Sequence, residues 1–352
     1  MNDRTEDRPR IALTMGDPAG IGPEVIVLGH HEIVEHAIPV VVGDAGVLDK
    51  AVSVCGADVT INSVRDAREA GGVPHTIDVL DVANVADHAW GIIEEAYGRA
   101  SLAYVERAIE LALDGSVDAI VTAPINKQST ALAGSTHAGH TGLLAARTGT
   151  DRYTMMLVEG PLRVTHVTGH VPLKQACAEI TTVAVGDTIR LTDQALREFG
   201  IDSPSIATTG LNPHAGDGGL LGDEDAEIIA PAIDRAAADG IDVVGPEPPD
   251  TVYVRAASGA FDCVVSMYHD QGHIPIKMLG FSDNSRVSGV NITIGLPIIR
   301  TSVDHGTAFD IAGTGAASPH SLIQAVEAAA TLANNREDGL DHSSGIETRE
   351  GA

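Results

Sequence analysis

The chain has 352 residues, 43% of them hydrophobic, which is enough to bury a large core divided between two lobes. Its formal net charge of −27 excludes nucleic acid and anionic membrane as general partners. No apolar run reaches the length of a bilayer span, and the odd, unpaired set Cys55, Cys177 and Cys263 argues against a disulfide framework and for a reducing, cytoplasmic address.

Residues 1–9 are polar, lack the apolar stretch of a secretory signal, and are expected to form a loose tail. Residues 10–15 read as a first strand. It runs into GDPAGIGPEV, where Gly20 and Gly22 permit a tight turn and Pro23 and Glu24 open a helix. This stretch is not the dinucleotide fingerprint GxGxxG; it is either plain strand–turn–helix architecture or backbone facing a cleft. Residues 38–42 and 77–82 are further strands, with GDAG opening a helix after the first of them. Residues 94–113 carry Leu102, Val105, Ile109 and Ala112 on one helical stripe, and Gly115 ends that helix. A strand at 118–122 then leads into TAPINK and on to HAGHTG. Residues 153–158 and 162–167 read as paired strands before THVTGHVPLK. Of the two histidines there, His170, nearer the turn, is favoured over His166 as functional. A helix at 185–199, a strand at 205–210, the glycine-rich turn GLNPHAGDGGLLGDED, a helix at 223–238 and a strand at 241–244 follow. Strand and helix keep alternating, which argues an α/β fold with a mainly parallel sheet.

The richest stretch is 261–315. The apolar run FDCVVSM reads as a buried parallel strand, which puts His269 and Asp270 at its carboxyl end, where open α/β sheets hold ligands. Lys277, Asn291 and Arg300 follow, the last at the end of a second β-like run. An imidazole, an ammonium, an amide and a guanidinium suit a small anionic substrate beside a metal. DHGTAFDIAGTG is a glycine-rich loop that lets backbone approach a nucleotide closely. Residues 319–334 form a last helix, and the polar residues beyond are expected to be a disordered tail. His170, His214 and His269 each fall just past a predicted strand. Three neutral imidazoles with an open position would make a catalytic divalent site, although no local spacing links them. Only four lysines occur, Lys50, Lys127, Lys174 and Lys277, against 49 acidic residues. Such a surface also suits high salt, which screens self-repulsion.

GDPAGIGPEV, TAPINK, GHT, HVPLK, GLNPHAGDGGLLG, YHDQGHIPIK, GVNITIGLPIIRTSVDHGTA and AGTG together resemble the 4-hydroxythreonine-4-phosphate dehydrogenase family of vitamin B6 (pyridoxine) biosynthesis. The resemblance spans about residues 10–333 and extends to relatives acting on threonate or erythronate 4-phosphate or on a terephthalate dihydrodiol. It implies two α/β/α lobes with a cleft between them, like the isocitrate and isopropylmalate dehydrogenases. Residues 1–130 with 290–335 would form the cofactor lobe, 131–289 the metal and dimer lobe, and 336–352 the tail. The metal ligands implied are His170, His214 and His269, for Zn, Mg, Co or Mn at the interface of a homodimer. His140, Thr141, Lys277, Asn291 and Arg300 would bind substrate. Lys277 and Asp270 are the candidate catalytic residues, and Asp304, His305, Gly306, Ala308 and Asp310 the candidate NAD contacts. The reaction implied is NAD-dependent oxidation of a hydroxy-acid phosphate followed by decarboxylation. Two departures bear on the substrate: Gly142 stands where the family usually has glutamate, and the insert SDNSRVS, with Asp283 and Arg286, is longer than in the vitamin B6 enzymes. A phosphate acyltransferase or a non-catalytic binding relative are the alternatives from other classes.

Overall fold

The alternation of apolar strands and amphipathic helices resolves into one mixed sheet in the computed structural model, which describes residues 8–137, 139–280 and 289–343, with 337–343 as backbone alone. The first part of the chain runs β1 (Arg10–Thr14), α1 (Gly22–His36), β2 (Ile38–Gly43), α2 (Ala45–Cys55), β3 (Thr60–Val64), β4 (Thr76–Asp81), α3 (Glu95–Leu113), β5 (Ala119–Thr122), α4 (Lys127–Leu132) and α5 (His140–Thr148). The middle supplies β6 (Thr154–Glu159), β7 (Leu162–His166), α6 (Leu173–Glu179), α7 (Thr182–Glu198), β8 (Ser205–Thr209), α8 (Ala230–Ala238), β9 (Asp242–Glu247), α9 (Pro249–Ala257), β10 (Cys263–Ser266) and α10 (His269–Gly280). The chain closes with β11 (Val290–Ile294), β12 (Ile299–Val303) and α11 (His320–Ser343).

The sheet order is β3-β4-β2-β1-β5-β12-β11-β6-β7-β10-β8-β9. Two parallel blocks flank its centre, one from β3 to β12 and one from β7 to β9. Between them β11 runs antiparallel to both β12 and β6, and β6 antiparallel to β7. Every residue of β5 and β10 is buried, which requires helices over both faces of the parallel blocks. The first block is built from residues 10–122 and completed by β12, so the chain leaves it after β5 and returns only at β12.

Several local readings need adjustment. The buried face of α3 is Tyr97, Ala100, Tyr104, Val105, Ala108 and Ile109, whereas Leu102 and Ala112 are only half-buried, so the stripe is rotated from the one read off aliphatic residues alone. Two large tyrosines claim the core-facing positions. Arg300 is the second residue of β12, not the end of a run, because Gly295 and Pro297 break the apolar stretch into two antiparallel strands. The proline-rich connection after β9 opens into α9, with Pro249 in its first turn, where a missing N–H is harmless. Helix α10 covers HDQGHIPIKMLG despite Gly272 and Pro275. Gly272 is there for space: a Cβ would meet Val164, Ser266 and His166 Nε2, the last at 2.6 Å, so the helix could not lie against β7. Helix α11 continues to Ser343, past the point where the polar composition suggested a tail. Residues 1–7, Ala138, 344–352 and the insert with Asp283 and Arg286 lie outside the described residues.

Candidate active site

Strand register assembles the first half of the site. Asn291 lies opposite Ser302 and Thr293 opposite Arg300, while Thr122 is paired with Ser302 from the other side. Alternation therefore brings Thr122, Asn291, Thr293, Arg300 and Ser302 to one face of the central strands. A cavity of about 650 Å³ lies over that face, bounded also by Lys127, His140, Thr141, His166, His170, His305 and Gly306. Arg300 is 3% exposed. Its terminal nitrogens donate to Thr293 Oγ1 at 3.0 Å and Thr122 Oγ1 at 2.7 Å, and its Nε is buried without a partner. No carboxylate faces it among the described residues, and burial pushes the guanidinium down to about 9. His140, the first residue of α5, has a buried, unpartnered Nε2; burial, then the charge of Arg300, holds its imidazole well below the ordinary range and therefore neutral. Asn291 Oδ1 and His305 Nε2 are likewise buried and unpartnered. Each such atom costs about 1–3 kcal/mol. Four of them around one cavity mark a place built to receive a polar, anionic ligand.

Histidines form the other half. His166 ends β7, His170 follows in the loop, and His269 and His273 sit one turn apart on α10. The rings of His170 and His269 are 5.0 Å apart, those of His269 and His273 stack at 3.6 Å, and His273 Nδ1 is 3.2 Å from His166 Nε2. Burial pushes His166 down to about 3 and His273 down to about 4, and lowers His170 as well. These rings are therefore neutral imidazoles at neutral pH, the form that ligates a metal. Asp270 accepts from His269 Nδ1 at 2.7 Å, which orients the ring and puts a proton on that nitrogen. His214 stands elsewhere. It begins a run of left-handed backbone from φ 54° at His214 through Ala215, Gly216 and Asp217 to Gly218. Its side chain is 65% exposed, 3.9 Å from Asp250. Within one chain, no group of three His, Cys, Asp or Glu side chains among the described residues meets at a metal position. The donor chemistry fits a divalent ion, but a single chain brings together only His170 and His269 of the three expected ligands.

Lys277 does not line the cavity. Its ammonium is paired with the Asp304 carboxylate and also donates to the Asp304 carbonyl at 2.9 Å, tying α10 to the start of the glycine-rich loop. In that loop His305 and Gly306 reach the cavity, Ala308 holds φ 44°, and Asp310 is exposed. A Cβ on Gly306 would meet nothing within 4 Å, so the backbone there is open to a ligand. With the unpartnered His305 Nε2, this is a surface that fits a nucleotide cofactor. Gly142 also borders the cavity, and a Cβ there would find only His137, at 3.6 Å.

Sequence reasoning missed Thr122 and His273, and ranked His166 below His170. The signal for His273 was its i+4 spacing from His269, which carries weight only once residues 269–280 are known to be helical. Thr122 carried no signal without the register of β5 on β12.

Residues 35–329 match the family described as pyridoxal phosphate biosynthetic protein PdxA. The chain is 49% identical over 328 residues to the 4-hydroxythreonine-4-phosphate dehydrogenase of Desulfosudis oleivorans, covering 92% of this chain and 95% of that protein. It is 46% identical over 332 residues to the D-threonate 4-phosphate dehydrogenase of Cupriavidus necator, covering 93% and 98%. The crystal structure of 4-hydroxythreonine-4-phosphate dehydrogenase from Klebsiella pneumoniae superposes with a TM-score of 0.83 at 43% identity, over 93% of this chain and 99% of that one.

Proposed function

This chain belongs to the PdxA family of pyridoxal phosphate biosynthetic proteins and is a dehydrogenase, and on that premise we propose NAD-dependent oxidation of a phosphorylated hydroxy acid, followed by decarboxylation. The observation that carries the reading is Arg300: a buried guanidinium with no counter-charge among the described residues, bordering a cavity beside the neutral ring of His140. Arg300, His140, Thr141 and Asn291 orient the carboxylate and phosphate of the substrate, with Lys127 adding positive charge at the rim. His170 and His269 would hold a divalent ion together with a His214 brought by a second copy. When bound, that ion lowers the pKa of the substrate hydroxyl. His305 and Gly306, with the neighbouring Asp304, Ala308 and Asp310, would hold NAD, which when bound would supply the hydride acceptor. Lys277, outside the cavity lining and paired with Asp304, would serve as the proton carrier only on leaving that pair to reach the substrate. Asp270 orients the His269 ring through Nδ1. A hydroxyl β to a carboxylate becomes a β-keto acid, which loses CO2 readily beside fixed positive charge.

A homodimer is part of the proposal. Leu173 at 57% exposed, Ile274 at 59% and Met278 at 70% leave apolar surface around the His170–His269 pair, and a groove between α9 and α10 adds Tyr253 and Val254. A second copy would cover this surface and complete the donor set.

The test is NADH formation from a panel holding 4-phosphooxy-threonine, threonate 4-phosphate, erythronate 4-phosphate and a dihydrodiol, with several divalent ions. Threonate or erythronate 4-phosphate as the preferred substrate is the second reading, supported by the Cupriavidus necator relative. No NADH from any of them sinks the proposal. His214→Ala is expected to abolish turnover while leaving the fold intact; full activity in that variant, folded and stripped of metal, removes the ion from the reaction.

A further inference from the structure

We infer that Glu24 is a positioning residue that seats the candidate cofactor loop. Glu24 lies in the first turn of α1, is fully buried, and has no cation partner among the described residues. Its carboxylate reaches across the end of the sheet to the far part of the chain. Oε1 accepts from the backbone N–H of Gly313, and Oε2 from that of Gly315 at 2.7 Å. A buried carboxylate satisfied, among the described residues, only by two amides of one loop is a costly way to hold that loop unless its placement matters.

The same loop is lashed to the same segment elsewhere. Ile21 N–H donates to the Thr307 carbonyl at 3.0 Å, and a Cβ on Gly20 would press tightly on Thr307, 3.0 Å from its Cβ and 3.1 Å from its carbonyl oxygen. Gly91 N–H donates to the Ala19 carbonyl at 2.8 Å, and Trp90 beside it packs so closely on Gly313 that a Cβ there would collide with the indole. The GDPAGIGPEV turn, which has no side chain on the cavity, thus forms the bed on which residues 306–315 rest. Because α1 is fixed to the sheet, Glu24 transmits that rigidity to the open backbone at Gly306. Ala308, in a left-handed conformation at φ 44°, directly follows Thr307, whose carbonyl accepts from Ile21 N–H.

The inference rests on the loop being the NAD seat. Trp90 is the chain's single tryptophan and touches the loop, so energy transfer from it to NADH reports cofactor binding without turnover. Titrating NADH into wild type, Glu24→Gln and Glu24→Ala, with KM for NAD and for the acid measured alongside, tests it. Glutamine keeps one acceptor but turns an N–H2 toward the second amide. The expected result is an NADH midpoint and a KM for NAD raised about tenfold in Glu24→Gln and further in Glu24→Ala, with the acid's KM unchanged, as loss of a charge-assisted hydrogen bond requires. Two folded variants that bind NADH as wild type does overturn the inference. NAD-linked turnover in wild type without transfer from Trp90 overturns it differently, by placing the cofactor off this loop. Absence of any NAD-linked turnover would instead be the failure of the dehydrogenation reading itself.

Discussion

Arg300 is strained electrostatically in the free protein. Among the described residues two threonine hydroxyls are its only partners, and neither carries charge. Residues that break a local rule without structural compensation are usually retained for function. The expected signature of Arg300→Met is therefore a split. The melting temperature holds or rises, since an uncompensated buried charge is gone, while kcat/KM falls about hundredfold, the value of two charge-assisted hydrogen bonds at ~1.5 kcal/mol each. A variant that loses stability and keeps activity would make Arg300 a structural residue. His30 shows the contrasting case of a buried histidine with a structural partner. It is 2% exposed, its Nε2 is bonded to the Val73 carbonyl at 3.0 Å, and burial lowers its pKa below 6.5. Below pH 6.5 the unfolded chain takes up a proton that the folded His30 refuses, so stability falls with acidification. Asp17 works the other way: burial raises its carboxyl to about 6, so its folded state binds the proton more readily and gains stability as pH drops below that value. Thermal melts across this range should show a shallower acid slope for His30→Gln than for wild type; an unchanged slope would assign the acid sensitivity to other groups.

At the scale of elements, the site depends on close helix approaches that glycine permits. Gly98 on α3 faces α4 so closely that a Cβ would collide with the Ser129 carbonyl. Helix α4 begins at Lys127, and Asn126 caps it by accepting from Gln128 N and Ser129 N at 2.9 and 3.0 Å. In an open helix Gly→Ala gains about 0.5–1 kcal/mol. Here overpacking, which costs about 1–3 kcal/mol, wins. Gly98→Ala is thus expected to lower the melting temperature and, by displacing Lys127, to raise KM for the anionic substrate. A more stable variant would show that the α3–α4 contact relaxes freely. Gly272 does the same for α10 against β7, where it brings His273 within reach of His166. Neither glycine's packing role shows in a linear reading, because proximity to another element is not a local property.

For the molecule as a whole, a net charge of −27 is self-repulsion spread over the surface. Exposed ion pairs such as Arg99–Glu95 and Arg197–Asp193 weaken with salt, but each contributes little. Screening the excess negative charge should dominate, so the melting temperature is expected to rise with molar KCl. A flat or falling curve would separate the acidic composition from salt tolerance. No helix among the described residues is long and apolar enough to cross a membrane.

The α/β class, most strands and the motif-bearing turns were legible in the chain because apolar periodicity and turn chemistry are short-range. The β6–β7 hairpin, the buried β10 and the turn after β1 follow from neighbours a few residues apart. Tertiary structure decided the rest. Only the register of β5, β12 and β11 sets Thr122 beside Arg300, 178 positions away, and only that burial makes the guanidinium unusual. Only the packing of α10 on β7 turns four separate histidines into an array. Only the seating of α1 under the last glycine loop gives Glu24 a partner 289 positions distant. Periodicity records which way a side chain faces within its own element. It carries nothing about which element lies opposite, and it is the opposing group that sets charge, burial and chemistry.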